Sequence, residues 1–291
     1  MYYFKLLAAL FMTTTTLSAQ KTDWQGHRGT RGLMPENTIP AFIRALELGV
    51  TTLELDICIS ADSHIVVSHE PWMSHEICSQ PDGTPVSEVE ATKYRIYKMT
   101  LAEVQRFDCG KRGNARFPQQ QAMRAYKPAL FEVVEAVNKW CIGNNKPLPN
   151  FNIEIKSAQE YYGKMTPFPA EYVRIVLAET EQLRYLMKGY NIQSFDANIL
   201  KEVHKQYPEM VIALLVENKL SVAKNIDLLG FTPQIYSPYY LLLTKQKIKK
   251  IHRLGMKVIP WTVNETELMQ HLIDIGADSI ITDYPDRIPK L

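Results

Sequence analysis

The chain has almost no charge imbalance. In 291 residues, 33 Lys and Arg stand against 31 Asp and Glu, a formal net charge of +2. No surplus of cations is available for a phosphate backbone, which argues against a dedicated nucleic-acid binder. No CxxC pair or Cys/His cluster occurs, so the usual zinc patterns are missing. No GxGxxG turn follows the first strand-like segment, which counts against an open, doubly wound dinucleotide fold. Nor is any stretch apolar for long enough to span a bilayer. What is present is an ordinary globular composition, 46% hydrophobic and 22% charged. That much apolar surface can bury a sizeable core, which excludes disorder. The length alone allows one large domain or two small ones.

The first residues read as a separate segment. Lys5 is the only charge before a short apolar run, Leu6–Met12, and a Thr-rich stretch then leads to Leu17-Ser18-Ala19. A basic start, a short apolar core and a small-x-small site form the pattern of a secretory signal peptide over residues 1–19. Export to the periplasm or outside the cell is therefore expected, with residues 20–291 as one mature domain. No Cys follows the cleavage site, which disfavours a lipoprotein. Export would place Cys58, Cys78, Cys109 and Cys141 where disulfides persist, and four cysteines allow three complete pairings. Cys78 and Cys109 share one irregular region and are the first pair to test. Cys58 and Cys141 sit in apolar contexts and read as small buried hydrophobes.

From Trp24 onward, short apolar runs alternate with helical patterns. Strand-like segments fall near 24–28, 51–58, 151–155, 189–193, 210–215, 234–237, 256–261 and 278–282. Between them lie groups at helical spacing, such as Tyr172-Val173-Val176-Leu177 and Ile248-Ile251-Leu254. Eight such units in one domain length predict an α/β fold, a closed (β/α)8 TIM barrel. One connection is too long for a barrel loop. Residues 70–127, after the second strand, are expected to form an insertion over the barrel top, with a short helix at Leu101–Phe107 capped by Thr100 and Glu103.

In such barrels the active site lies at the carboxyl ends of the strands. The first strand ends in Gly26-His27-Arg28-Gly29, a proton carrier and a fixed cation between two glycines. In Leu53-Glu54-Leu55-Asp56-Ile57, alternation puts both carboxylates on one face, turned into the barrel mouth. Two anions so close need relief, and a hard divalent ion such as Ca²⁺ or Mg²⁺ is the simplest source. A solvated acidic pair would explain the segment equally well. Ile153-Glu154-Ile155-Lys156 adds a third inward carboxylate and an inward lysine suited to an anionic ligand. His69 follows the run Ile65–Ser68 and is a second strand-end histidine. Metal, basic side chains and two proton carriers together are what cleaving a phosphate ester needs.

At these residues the chain resembles the glycerophosphodiester phosphodiesterases, which are metal-dependent (β/α)8-barrel enzymes. The motifs that carry the resemblance run in order from Gly26 to Pro285. They are Gly26-His27-Arg28-Gly29, Pro35-Glu36-Asn37-Thr38, Glu54-Leu55-Asp56, His69-Glu70-Pro71 and Glu154-Ile155-Lys156, followed by Gln193-Ser194-Phe195, Trp261-Thr262-Val263-Asn264 and Ile280-Ile281-Thr282-Asp283-Tyr284-Pro285. The resemblance implies that Glu54, Asp56 and Glu154 hold the divalent metal and that His27 and His69 form the acid/base pair. It places Arg28 and Lys156 on the phosphate, with Phe195 and Trp261 as apolar walls and Glu36 and Asn37 lining the site or fixing its loop. Glu70 departs from the family, which usually has Asp there, so its role is open. The implied reaction yields an alcohol and sn-glycerol 3-phosphate from a small-molecule diester. A non-catalytic binder of such diesters and a phospholipase-D-like enzyme on lysolipids are the rivals. The latter should show a larger apolar entrance and membrane affinity, and no amphipathic basic helix is evident for it.

Overall fold

The computed structural model describes residues 22–289, so the expected signal segment, 1–19, lies outside the described residues. The chain begins with β1 (Asp23–Gly26), α1 (Ile39–Glu47), β2 (Thr52–Ile59), β3 (Ile65–Val67) and the short helices α2 (Glu88–Ala91) and α3 (Leu101–Val104). It continues with α4 (Leu130–Gly143), β4 (Asn150–Ile155), α5 (Pro169–Leu183), β5 (Gly189–Ser194), α6 (Ala197–Gln206) and β6 (Ile212–Val216). The last third holds α7 (Val222–Leu229), β7 (Ile235–Pro238), α8 (Lys245–Arg253), β8 (Lys257–Val258), α9 (Thr266–Asp274) and β9 (Ser279–Thr282).

Strand order decides between the closed and the open sheet. β1 lies between β2 and β9, so the first strand pairs with the last, and the parallel neighbours then run β2, β4, β5, β6, β7, β8. The remaining seam is joined by backbone bonds from Asp278 N to Val258 O, 2.9 Å, and from Ile281 N to Pro260 O, 3.1 Å. The (β/α)8 barrel forms as expected. No helix among the described residues is long and apolar enough to cross a membrane.

Period-two alternation sorts the side chains. Leu53, Leu55 and Ile57 of β2 and Phe151, Ile153 and Ile155 of β4 are fully buried in the large core under the helices. The opposite faces fill the barrel interior in two unlike halves. Under β1, β4 and β5 the filling is amide: Asn152 Nδ2 donates to Gln25 Oε1 (2.9 Å) and to Gln193 Oε1 (3.1 Å). Under β6 to β9 it is apolar, with Ala213, Ile235, Ile259 and Ile281 packed below Trp261.

β3 is the element the barrel pattern does not foresee. β2 runs on past the mouth to Ile59, and β3 folds back antiparallel on it, Ile57 opposite Val67. The return brings Ser68 N to Asp56 O, 2.9 Å, and so sets His69 down beside the barrel mouth. Residues 70–127 follow with a small core of their own: Met73, Ile77, Val86, Ile96, Val104 and Phe107 pack around Cys58 and Val66. α3 carries the expected Thr100–Glu103 capping box but ends at Val104. Cys78 and Cys109 form a disulfide across this region, while Cys58 and Cys141 are free and buried.

A cross-link spanning 31 positions constrains the unfolded segment by about 3–4 kcal/mol on the chain-entropy account. Cys109→Ser should therefore lower the local stability of 70–127 by up to that amount. Hydrogen exchange would show faster exchange there and unchanged protection in the barrel strands; equal protection throughout would contradict it.

Candidate active site

The site starts with the turn after β1. An added Cβ at Gly26 would run into Gly29 O, and one at Gly29 (φ +83°) would lie 2.7 Å from the Ala41 backbone. Only glycine lets this turn pack so tightly against α1. Between them Arg28 takes φ 51°, a left-handed conformation rare for a side-chain-bearing residue. That geometry turns its backbone N–H to Glu54 Oε2, 2.9 Å away. Its guanidinium Nη1 binds Glu36 Oε1 at 2.7 Å, and Nε lies 3.2 Å from Asp56 Oδ2. Asn37 Nδ2 donates to the same Asp56 oxygen at 2.8 Å. Glu36 and Asn37 thus hold Arg28 and Asp56 in place, and the cap of α1 is Thr38.

The three carboxylates expected on β2 and β4 come together. Asp56 and Glu154 are register partners on adjacent strands. Glu54, Asp56 and Glu154 are all buried, with one oxygen from each within 4.8 Å of the others. Burial pushes the Glu54 carboxyl well above the usual range, and the charges of Asp56 and Glu154 add to that. Glu154 is raised for the same reasons, partly offset by Lys156, whose Nζ sits 2.7 Å from its Oε1. Asp56 behaves differently. Burial opposes its charge, but Arg28, His69 and Lys156 hold it well below the usual carboxylate range. Its Oδ1 is buried without a hydrogen-bond partner. Three oxygens so arranged, one of them unpartnered, fit a hard divalent cation.

Both histidines are backed by a carboxylate. His27 Nδ1 lies 2.6 Å from Asp283 Oδ1, and its Nε2 lies 4.0 Å from Glu54 Oε2. Burial lowers its pKa to about 4, helped by Arg31 and opposed by Asp283. His69 Nδ1 lies 2.8 Å from Glu70 Oε1. The residue that departs from the family therefore holds the second histidine from the adjacent position. Burial works against the Glu70 charge, yet its bond to His69, with Lys127 and Arg28, keeps it ionised well below the ordinary range. Lys127 is itself buried and donates to Ser68 Oγ at 2.8 Å.

Some of these partners were not legible as such. Asp283, at the end of β9, meets His27 only because the barrel closes and places the last strand beside the first. Arg31 grips both oxygens of Asp283, Nε at 2.9 Å and Nη2 at 3.3 Å, and nothing in the spacing singled it out. Asn264 donates to Asp283 Oδ2 at 2.9 Å. The motif Thr282-Asp283 at a strand end was the one available signal.

A cavity of about 140 Å³ joins these groups, lined by His27, Arg28, Glu54, His69, Glu154 and Lys156 on one side and by Phe195, Leu215 and Trp261 on the other. Phe195 and Trp261 meet edge to face, with centroids 5.4 Å apart. A larger cavity of about 560 Å³ opens at the opposite end around Asp23, Gln25 and Asn191, away from both histidines. The chemistry therefore belongs to the carboxyl-terminal mouth.

Two carboxylate-backed histidines, two cations and a buried carboxylate triad at one barrel mouth are the groups that cleavage of a phosphoric ester calls for. Comparison with known proteins narrows the class. The glycerophosphoryl diester phosphodiesterase family matches residues 27–287, and the chain belongs to that family. A glycerophosphodiester phosphodiesterase of Caldanaerobacter subterraneus is 31% identical over 279 residues, covering 93% of this chain and 98% of the relative. The crystal structure of a Silicibacter pomeroyi protein assigned to the same enzymes superposes with a TM-score of 0.78 at 30% identity, covering 91% of each chain. An Oleispira antarctica phosphodiesterase, solved with its product sn-glycerol-3-phosphate, shares the fold: TM-score 0.69 at 23% identity, over 91% of this chain and 94% of that one.

Proposed function

We propose that this enzyme hydrolyses glycerophosphodiesters to an alcohol and sn-glycerol 3-phosphate, with a divalent metal and two histidines as proton carriers. The observation that carries this reading is the pairing of each histidine with a carboxylate, His27 with Asp283 and His69 with Glu70, around one cavity. The product found in the Oleispira antarctica relative supports the choice of product.

Glu54, Asp56 and Glu154 would hold the metal. Ca²⁺ or Mg²⁺ suits an all-oxygen donor set and would supply charge neutralisation of the phosphoryl oxygens. The chain's own groups do the rest. Arg28, fixed by Glu36, and Lys156, poised beside Glu154, bind the phosphate of the diester. His27 is neutral at neutral pH, donates Nδ1–H to Asp283 and turns the Nε2 lone pair toward the cavity. It takes the proton of the nucleophile as the new P–O bond forms and the bond to the alcohol breaks. Water as the nucleophile gives sn-glycerol 3-phosphate directly. A substrate glycerol hydroxyl gives a cyclic phosphate that a water, deprotonated in the same way, then opens to sn-glycerol 3-phosphate. Asp283 stabilises the imidazolium that results. His69, oriented by Glu70, is placed to exchange a proton with the leaving alkoxide. Phe195 and Trp261 form the apolar wall of the cavity opposite the carboxylates.

Export to the periplasm or beyond the cell is part of the same reading. The Cys78–Cys109 pairing supports it, because such bonds persist in oxidising compartments. A product assay across glycerophosphocholine, glycerophosphoethanolamine and glycerophosphoglycerol, with Ca²⁺, Mg²⁺ or chelator, tests the proposal. Glycerol phosphate should appear with metal and disappear with chelator. Turnover of none of the three diesters under any condition would sink it.

A further inference from the structure

The rim of the barrel mouth is built unevenly. Beside β1 and β2 it is ionic and bordered by residues 70–127. The loops after β4, β5, β6 and β7 instead each expose a large apolar side chain: Phe168 (60%), Phe195 (43%), Leu220 (42%) and Leu241 (68%). Single exposed apolar residues are normal on any surface. Four of them on four consecutive loops at one end of a barrel make a face. That face is continuous with the site. Phe195 meets Trp261, Trp261 meets Tyr239 at 5.6 Å, and Tyr239 meets Tyr240 at 4.9 Å, the residue just before Leu241.

The charge of these loops is balanced, and the cationic excess lies on the neighbouring α8. Lys164 and Lys219 are exposed on two of these loops, with Glu160 and Glu217 as the exposed acids beside them. α8 starts at the same rim with Lys245 and runs down the side of the barrel through Lys247, Lys249, Lys250 and Arg253, with no acid. Ile248 and Ile251 are buried against the barrel, Lys247 is half-buried, and Lys245, Lys249, Lys250 and Arg253 line the outer side. The ion pair of α8 among the described residues is His252 with Asp278, which leaves the five cations unpaired there. The apolar stripe of α8 is taken up by the barrel, so the helix offers a surface only its cations.

We propose that this half of the rim, with the cationic flank of α8, docks onto an anionic lipid surface. A bilayer interface takes aliphatic and aromatic side chains beneath a layer of negative charge, which is the combination presented here. A single-stranded nucleic acid would call for planar side chains interleaved with the cations, and Leu220 and Leu241 offer none. Docked in this way, the enzyme presents its cavity to phosphodiester head groups at the interface. The docking surface stands independently of the catalytic assignment.

Co-sedimentation of the full chain with vesicles tests this, using equal parts phosphatidylglycerol and phosphatidylcholine against phosphatidylcholine alone. Binding is expected only with the anionic lipid and should weaken with added salt. Two variants separate the contributions, Lys245→Glu/Lys249→Glu/Lys250→Glu and Leu220→Ser/Leu241→Ser. Each should bind at least about tenfold more weakly. Both carry the same N-terminal segment as the parent, so the difference reports the rim and α8. Turnover of a water-soluble glycerophosphodiester should be unchanged in both, which certifies their fold. Equal binding to neutral vesicles, parent-like binding by both variants, or binding to single-stranded RNA without binding to vesicles would each overturn the proposal.

Discussion

Replacing His27 with alanine is expected to lower kcat by about 10²–10⁴-fold, the usual contribution of a positioned proton carrier. Asp283→Asn should fall in the same range although the imidazole stays. Asp283 Oδ1 receives His27 and Arg31 Nε, and Oδ2 receives Asn264 and Arg31 Nη2. Every one of these partners is positioned as a donor. An asparagine has one acceptor oxygen, so its amide must face a donor on one side or the other. If it faces His27, the imidazole turns its proton toward the cavity and the base is lost; if it faces away, Arg31 and Asn264 are displaced. Steady-state kinetics on both variants, with circular dichroism to confirm folding, checks the result. Turnover within a few-fold of the parent in both would remove His27 from the mechanism.

Glu154→Gln is the second large effect, with opposite signs for function and stability. It removes one of three buried oxygens proposed to hold the metal. Loss of a residue that merely supports a metal ligand costs about 10–100-fold in affinity or activity, and loss of a ligand should exceed that. In the metal-free protein the same change relieves repulsion. The amide keeps an oxygen for Lys156 and no longer opposes Asp56 and Glu54. The metal-free variant should melt higher than the metal-free parent, and a gain of about 1 kcal/mol would appear as roughly 2–4 °C in Tm. Calorimetry with chelator reads stability, and titration calorimetry with Ca²⁺ and Mg²⁺ reads affinity.

The pH dependence follows from the same two groups. Glu54 and Glu154 titrate above the ordinary glutamate value, so the metal-free native state holds protons that the unfolded chain has released. Their contribution to stability is complete below the ordinary value and is lost as pH rises through the raised ones. Metal affinity runs the other way, rising with pH over that interval, because binding must displace these protons.

Much of this site was legible from period two alone. Glu54, Asp56 and Glu154 each sit between isoleucine or leucine neighbours, and Lys156 follows Glu154 by two positions, so a strand places them on one shared face. The barrel followed from eight repeats of one alternation. What was not legible depended on contacts across long separations. Asp283 reaches His27 from 256 positions away, and only closure of the sheet makes them neighbours. His69 reads as a strand-end histidine after Ile65–Ser68, but that this strand, β3, folds back on β2 and sets it beside Asp56 is not legible from the sequence. Arg31 and Lys127 carry no pattern of their own; packing decides their partners.

The amide filling of the barrel has a carboxyl group at each end. Gln193 Nε2 donates to Glu54 Oε1 at 2.8 Å, and Gln25 Nε2 donates to Asp23 Oδ2 at 3.0 Å. Asn152 stands between them and donates toward both neighbours, so the run of dipoles diverges from the centre toward the two carboxyl groups. No single amide can turn over without setting donor against donor or acceptor against acceptor. The orientation of Gln193 under the catalytic mouth is therefore written partly by Asp23, at the far end of the barrel. The inside of the barrel works as an oriented wire whose two terminals hold each other's polarity.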